Sequence, residues 1–319
     1  MVRRKNKLTE EQLKSMGIET VNTFDGAIEI LLKHCKIKNL RSHTVKFYRN
    51  ELNAAKKILE KQKVDTSINK ITDKIIRRNI IDYMSGEGKT ITAINSRLRA
   101  LKRLFNFLYS EDYLFSNPMS SIVLLKTEKR IQPTLTMSEI KNLLEQPDQS
   151  SFVGIRNFCI LLLFLETGIR CFELANLKVK DVIFEENLIL VSHTKNRKQR
   201  FVPFQEKMKR KLQDYIKLRG DIDEEALFVT VDNTALSKRK ITEWITTYAK
   251  DANIEGPCSA HVLRYTFVKF AIKAEANLFV LQEIVGHSTL NQLRYYYSVY
   301  GNDITTEHKK FSIADKLLS

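Results

Sequence analysis

The sequence predicts a mainly α-helical chain of two domains, the second carrying one small antiparallel sheet. Three observations point there. Apolar residues recur at three- and four-residue spacing over most of the chain, the signature of amphipathic helices. That periodicity lapses after "SNP", through "MSSIVLLKTEKRIQPTLT", where Pro118 and Pro133 bracket a run with basic residues between them. Three short runs rich in branched residues, "DVIF", "NLILVS" and "RFVPF", then interrupt the helices once. A length of 319 residues is generous for one core and comfortable for two.

The elements follow in order. Residues 1–22 form a basic extension, "MVRRKNKLTEEQ" and onward, without the apolar stretch of a signal peptide. Fewer than about two dozen residues is short for a further independent domain. Residues 23–118 read as a helical domain built from "FDGAIEILLKHC", "SHTVKFYRNELNAAKKILEKQ", "ITDKIIRRNIIDYMS" and "TAINSRLRALKRLFNFLYSEDYL". In the last of these Leu98, Leu101, Phe105 and Leu108 make the buried stripe. Arg97, Arg99, Lys102 and Arg103 flank it, either as a solvated face or as contacts to a phosphate backbone. Residues 119–134 form the linker, with Lys126, Lys129 and Arg130 in it.

Residues 135–319 make the second domain. "TMSEIKNLL" has the capping pattern that opens a helix. "GIRNFCILLLFLETG" is apolar nearly all round and belongs at the centre of a core, with Gly168 as its stop. The three strand-like runs follow, with "HTKNRKQ" as a hairpin tip, and helices resume from Glu206. Near the end Phe311, Ile313, Leu317 and Leu318 stand at helical spacing.

Composition narrows the function. There are 53 lysines and arginines against 37 acidic residues, a formal net charge of +16. Such an excess repels itself without a polyanionic partner, and nucleic acid is the leading one. An anionic membrane surface is the competitor, yet no apolar run approaches the roughly 20 residues of a spanning helix. The chain therefore reads as cytoplasmic, with no membrane partner. Cys35, Cys159, Cys171 and Cys258 are scattered without a Cys-x-x-Cys, which disfavours a disulfide framework and a zinc site. Cys35 and Cys159 lie in apolar helical surroundings and read as small buried hydrophobes.

Four pieces of the second domain carry the chemistry. In "ETGIRCFELANL", Arg170 follows the glycine stop; an arginine there pairs with Glu173 or awaits an anion. In "SHTKNRKQRFVPF", Lys195, Arg197, Lys198 and Arg200 crowd the hairpin. In "HVLRYTF", His261 and Arg264 stand at i and i+3 and project from one helix face. In "VGHSTLNQLRYYYSVY", Tyr295, Tyr296 and Tyr297 point about 100° apart, so one at most faces a given pocket. Each piece alone has an ordinary structural reading: a solvated turn, a structural histidine, a helix wrapped with aromatic rings.

In this order and combination they resemble the tyrosine recombinase, or integrase, family. The resemblance runs from about Phe24 to the C-terminus. It includes the "TGIR..EL..L" box, the "TK...R.VP" hairpin, the "H.LR.TF" box and the Gly-His pair, with His287 nine positions before Tyr296. One departure is Tyr265, which stands where the family commonly has a second histidine. The resemblance implies a helical core-binding domain and a mixed α/β catalytic domain that close as a C-shaped clamp on DNA. It implies Tyr296 as nucleophile, with Tyr297 or Tyr295 if the register differs, and Arg170 and Arg264 as clamps on the phosphate oxygens. Lys195 would protonate the leaving oxygen, His261 would accept the tyrosine proton, and His287 would steady the phosphate.

The implied reaction makes a 3′-phosphotyrosyl ester and a free 5′-hydroxyl. Ester exchange is nearly isoenergetic, so neither a cofactor nor a metal is expected. The implied partners are double-stranded DNA with inverted-repeat core sites and three further copies of the chain, a homotetramer; the C-terminal tails either dock on neighbouring copies or pack on their own domain. Accessory DNA-bending or directionality proteins would set the direction. An integrase or transposase of a mobile element is the first expectation. A Xer-like resolvase of chromosome or plasmid dimers is the alternative; a type IB topoisomerase and a non-catalytic DNA-binding regulator are the rivals.

Overall fold

The computed structural model describes residues 21–127, 132–192, 198–286 and 290–301. Lys129, Arg130, Lys195, Arg197, His287, the tail residues and nearly all of the N-terminal extension lie outside the described residues. The chain divides into two compact units, Met1–Lys129 and Arg130–Ser319.

The first unit is helical. Thr23 caps α1 (Phe24–Ile37), its hydroxyl accepting from the Gly26 amide at 3.1 Å. After α2 (Ser42–Lys61), a short α3 (Asp73–Ile75) runs through a π-helical stretch, Ile76–Asp82, into α4 (Tyr83–Gly86). α5 (Ile91–Ser110) buries the expected stripe of Leu98, Leu101, Phe105 and Leu108 against α1 and α2. The expected linker is partly committed to this unit. Met119 and Ile122 are buried in its core. The carboxamide of Asn95, itself buried, donates to the Leu125 carbonyl and accepts from the Leu125 amide, both at 2.9 Å. A buried amide with both of its groups answered holds that strand of chain to α5.

The second unit opens with α6 (Met137–Glu145), where Thr136 and Glu139 form a full capping box. α7 (Phe152–Thr167) is the central helix, with Ile160, Leu161, Leu163 and Phe164 all buried. A Cβ on Gly154 would lie 1.7 Å from the Asp148 carbonyl oxygen, so the loop before α7 packs on bare backbone. α8 (Cys171–Ala175) follows. The three predicted strands form one antiparallel sheet in the order β1 (Val182–Ile183), β2 (Leu188–Val191), β3 (Arg200–Pro203), with Val182 opposite Ile189 and Val191 opposite Arg200.

Helices α9 (Glu206–Arg219), α10 (Lys238–Asp251), α11 (Ala260–Lys273), α12 (Leu278–Val285) and α13 (Asn291–Tyr300) complete the unit. α7 is flanked by α9 and α11. The last three helices share a separate apolar cluster of Val268, Ile272, Leu281, Val285, Leu293 and Tyr296. That cluster fixes α12 and α13 to α11, the arrangement on which the site depends. All four cysteines are free thiols and buried. Among the described residues no helix is long and apolar enough to cross a membrane.

Candidate active site

The site is organised around the end of a short helix. α12 closes on Gly286 at φ +64°, and its last carbonyls have no partner within the helix. Three arginines from three other places in the chain take them in succession. Arg200 Nε donates to the Ile284 carbonyl at 2.8 Å, Arg264 Nη2 to Val285 at 2.7 Å, and Arg170 Nη2 to Gly286 at 2.7 Å. A helix C-terminus carries roughly half a negative charge, which helps to hold guanidiniums that would otherwise repel one another.

Each arginine arrives for a local reason. α7 stops at Gly168, whose φ of +58° is left-handed, and a Cβ there would lie 2.4 Å from a ring carbon of Phe267. The turn delivers Arg170 to the N-cap of α8. Arg264 lies on the buried face of α11, 2% exposed, and also donates to the Gly168 carbonyl. Arg200 is the first residue of β3, so its backbone is fixed by the sheet ladder.

One carboxylate, Glu173, serves two of the three cations. It is 1% exposed. Its Oε1 accepts from Arg170 Nη1 at 3.0 Å and Arg200 Nη1 at 3.1 Å, and its Oε2 from Arg200 Nη2 at 2.8 Å and the Arg170 amide at 3.2 Å. Burial pushes the Glu173 carboxyl up, but the hydrogen bonds and charges of Arg200 and Arg170 outweigh it and hold it below the usual carboxylate value. Burial, reinforced by the neighbouring Arg170 charge, brings Arg264 down to about 9. It remains a cation at neutral pH. A guanidinium has five N–H donors, and these contacts use two nitrogens each on Arg170 and Arg264, leaving donor capacity for an incoming oxyanion.

His261 sits one turn before Arg264 on α11, exposed, its ring stacked on Tyr265 with centroids 6.2 Å apart. Partial burial, then the charges of Arg264, Lys238 and Arg170, lower its pKa, so the neutral imidazole prevails at neutral pH. Of the three adjacent tyrosines, Tyr296 is buried at 4% exposure while Tyr295 and Tyr297 are half-buried. The Tyr296 ring stacks on Tyr265 at 5.5 Å and on Tyr300 at 6.2 Å. Its hydroxyl is buried without a hydrogen-bond partner among the described residues, and burial followed by the neighbouring phenols raises its pKa. Tyr265, the departure from the family pattern, thus lies between His261 and Tyr296.

The structure brings together Arg170, Arg264 and His261, with Tyr296 on the adjoining helix. Lys195, His287 and Arg197 lie outside the described residues. Among the expected DNA contacts, Arg99, Lys102, Lys126 and Lys198 are exposed and Arg103 is half-buried. Two others turn inward. Arg97 pairs with Glu51 at 3.0 Å and donates to the Glu51 carbonyl at 2.6 Å, and Arg200 is spent on Glu173 and Ile284. A basic residue next to a basic run gives no sign in sequence of pointing toward an acid on another element. Glu173 had been weighed as a partner for Arg170 alone; its sharing with Arg200 was not legible. Cys171 is buried, and that burial raises its thiol pKa, the behaviour of an inert core residue.

The chain is similar over most of its length to known proteins. The phage integrase family matches residues 133–302, and the phage integrase N-terminal SAM-like domain matches residues 31–112. Tyrosine recombinase XerC of Thermodesulfovibrio yellowstonii is 31% identical over 278 residues, spanning 83% of this chain and 89% of that protein. Tyrosine recombinase XerD of Staphylococcus epidermidis is 28% identical over 279 residues, 86% of this chain and 94% of that one. Among solved structures, the Tn1549 transposon integrase in complex with transposon right end DNA superposes with a TM-score of 0.73 at 20% identity, covering 92% and 99% of the two chains. A lambda integrase dimer bound to a COC′ core site gives 0.72 at 17% identity, covering 91% and 81%. With both of its units matched and a relative 31% identical over 83% of its length, the chain belongs to the phage integrase family, the tyrosine recombinases, enzymes that cut and rejoin DNA.

Proposed function

We propose that this enzyme is a site-specific recombinase of the Xer type that resolves DNA multimers through a 3′-phosphotyrosyl intermediate at Tyr296. The observation that carries the chemistry is the convergence of Arg170 and Arg264 on the C-terminal end of α12, with Tyr296 packed on the next helix. Two guanidiniums side by side clamp the non-bridging oxygens of a phosphodiester and stabilise the extra charge of its five-coordinate transition state.

The Tyr296 oxygen attacks phosphorus, a phosphorus–oxygen bond forms to the phenol, and the bond to the 5′-oxygen breaks. The phenol proton passes toward neutral His261. The 5′-oxygen takes a proton from Lys195, assigned by its place in the hairpin motif, and His287 joins the phosphate by the same reasoning. The 5′-hydroxyl of a second duplex then reverses the exchange. Because the phenol hydroxyl is buried and its pKa raised, α13 must shift for attack, and the nearby Arg264 cation is the group that would favour the phenolate.

The sequence had put a mobile element first. The relatives matched over most of their length bear the names XerC and XerD, which favours the resolvase alternative. The transposon integrase likeness, at 20% identity, speaks to the fold. Assembly as a tetramer on paired duplexes is part of the proposal; a lambda integrase of the same fold, with a TM-score of 0.71, is a tetramer bound to a Holliday junction.

The test is a plasmid carrying two direct repeats of the host chromosome's dimer-resolution site, against one carrying the junction of a resident mobile element. Deletion between the chromosomal sites and none between the junctions supports the proposal. The reverse pattern restores the mobile-element reading, and relaxation of supercoils without deletion indicates a topoisomerase.

A further inference from the structure

We propose that Arg200 is a positioning residue for the phosphate clamp: it occupies Glu173 so that Arg170 stays open to the substrate. The inference rests on the reading of Arg170 as a clamp.

The hydrogen bonds define the role. Arg170 uses one nitrogen on Glu173 Oε1 and the other on the Gly286 carbonyl. Its side chain is 24% exposed, in keeping with a group that meets a ligand. Arg200 spans both oxygens of the same carboxylate and is 11% exposed. An arginine facing a lone carboxylate prefers the two-pronged arrangement, both nitrogens on both oxygens. If Arg200 were absent, Arg170 would close onto Glu173 in that way and leave Gly286. Its guanidinium would then face the protein instead of a phosphate.

Lysine cannot substitute fully. Arg200 bonds Glu173 through both terminal nitrogens and the Ile284 carbonyl through Nε, three directions fixed by one planar group. The space it fills is bounded on the far side by Gly286, where a Cβ would lie 2.9 Å from the guanidinium carbon. Arg200 therefore joins the sheet, the Arg170 turn and the end of α12, the three pieces whose alignment sets the clamp. Among the described residues its contacts are all within the protein.

The experiment uses the full chain and a nicked duplex whose scissile group is either a phosphodiester or a methylphosphonate. The methyl group removes one anionic oxygen and, with it, much of the need for a guanidinium. Arg170→Ala is the reference. Arg200→Gln is expected to form the covalent adduct about 30-fold more slowly on the phosphodiester, less than the roughly 100-fold or more of a lost direct donor. On the methylphosphonate it is expected to come within about 3-fold of the unmodified enzyme, as Arg170→Ala does, because charge neutralisation replaces clamping. Arg200→Lys should fall between. Duplex affinity and its salt dependence should be unchanged, which also shows that the variant is folded.

An equal loss on both substrates would overturn the proposal in favour of a general structural role. A salt slope shallower by about 0.9 would make Arg200 a phosphate contact after all. An undiminished rate on the phosphodiester would remove any positioning role. If Arg170→Ala itself gains nothing from the methylphosphonate, the clamp reading falls and takes this proposal with it; if Arg170→Ala gains and Arg200→Gln does not, this proposal alone fails.

Discussion

Replacing Glu173 with glutamine removes one charge from the middle of the site while nearly keeping its shape. The carboxylate accepts four hydrogen bonds, three of them from guanidiniums, at 1% exposure. Removing one partner of a buried pair costs about 3–5 kcal/mol, because the cations left behind stay desolvated. Glutamine retains one acceptor oxygen, which can keep one or two contacts as neutral hydrogen bonds of about 1 kcal/mol each. The net expectation is a loss of about 2–3 kcal/mol. For a unit of nearly 200 residues each kcal/mol moves the melting temperature by about 2–4 °C, so the shift should be about 4–12 °C.

The chain has a single tryptophan, Trp244, in α10 of the second unit. Fluorescence-detected melting therefore reports on that unit without interference from the first. The same carboxylate gives a pH signature. Its pKa in the folded protein is depressed below 4.5, so its stabilisation is present above that pH and is lost as pH falls through the lower folded value. The Glu173→Gln protein should lack this acid-side loss. A melting temperature within about 1 °C of the unmodified protein, with the acid-side loss intact, would refute the claim that the carboxylate binds the two arginines together.

Other substitutions probe separate parts of the account. Gly168→Ala forces a left-handed backbone on alanine and drives its Cβ to 2.4 Å from Phe267, so the second unit should lose about 1–3 kcal/mol in the Trp244 melt. His261, with its pKa lowered from 6.5, is neutral at pH 7; the rate of adduct formation should hold above pH 6.5 and decline as pH falls through the depressed value, and His261→Gln should erase that inflection. In the first unit, removing exposed Arg99 or Lys102 should each reduce the slope of log affinity against log salt by about 0.9, whereas Arg97→Ala should leave the slope unchanged and destabilise the unit, because Glu51 loses its partner.

These contrasts follow from what was legible in sequence. Periodicity alone located α5 with its buried stripe, and the "ETG" stop, the capping box and the branched runs located α7, α6 and the three strands. The motifs around Arg170 and Arg264 fix both the type and the order of the residues, and the fold brings the two side chains to one helix end. Arg97 and Arg200 turn inward for a reason the sequence hides. Their neighbours in sequence are basic, while their partners, Glu51 and Glu173 with Ile284, lie on other elements and come close only in the fold. Helix geometry allowed one of the three tyrosines to face inward but not the choice between them; packing against α11 and α12 buries Tyr296. The packing of the early linker on the first unit leaves no trace in the sequence, because Met119, Ile122 and the Asn95 bridge are too sparse to form a periodic pattern.

The proposed reaction makes Tyr296 the nucleophile, aimed at a phosphate held by Arg170 and Arg264. Its most direct test is the covalent protein–DNA adduct formed on a nicked duplex bearing a site that the enzyme binds, resolved on a denaturing gel and mapped by peptide mass. The adduct is expected on the peptide that contains Tyr296, absent in Tyr296→Phe and retained in Tyr295→Phe and Tyr297→Phe. An adduct that survives Tyr296→Phe and disappears with Tyr297→Phe would contradict the placement of the nucleophile, and no adduct from the unmodified chain on a bound site would contradict the chemistry.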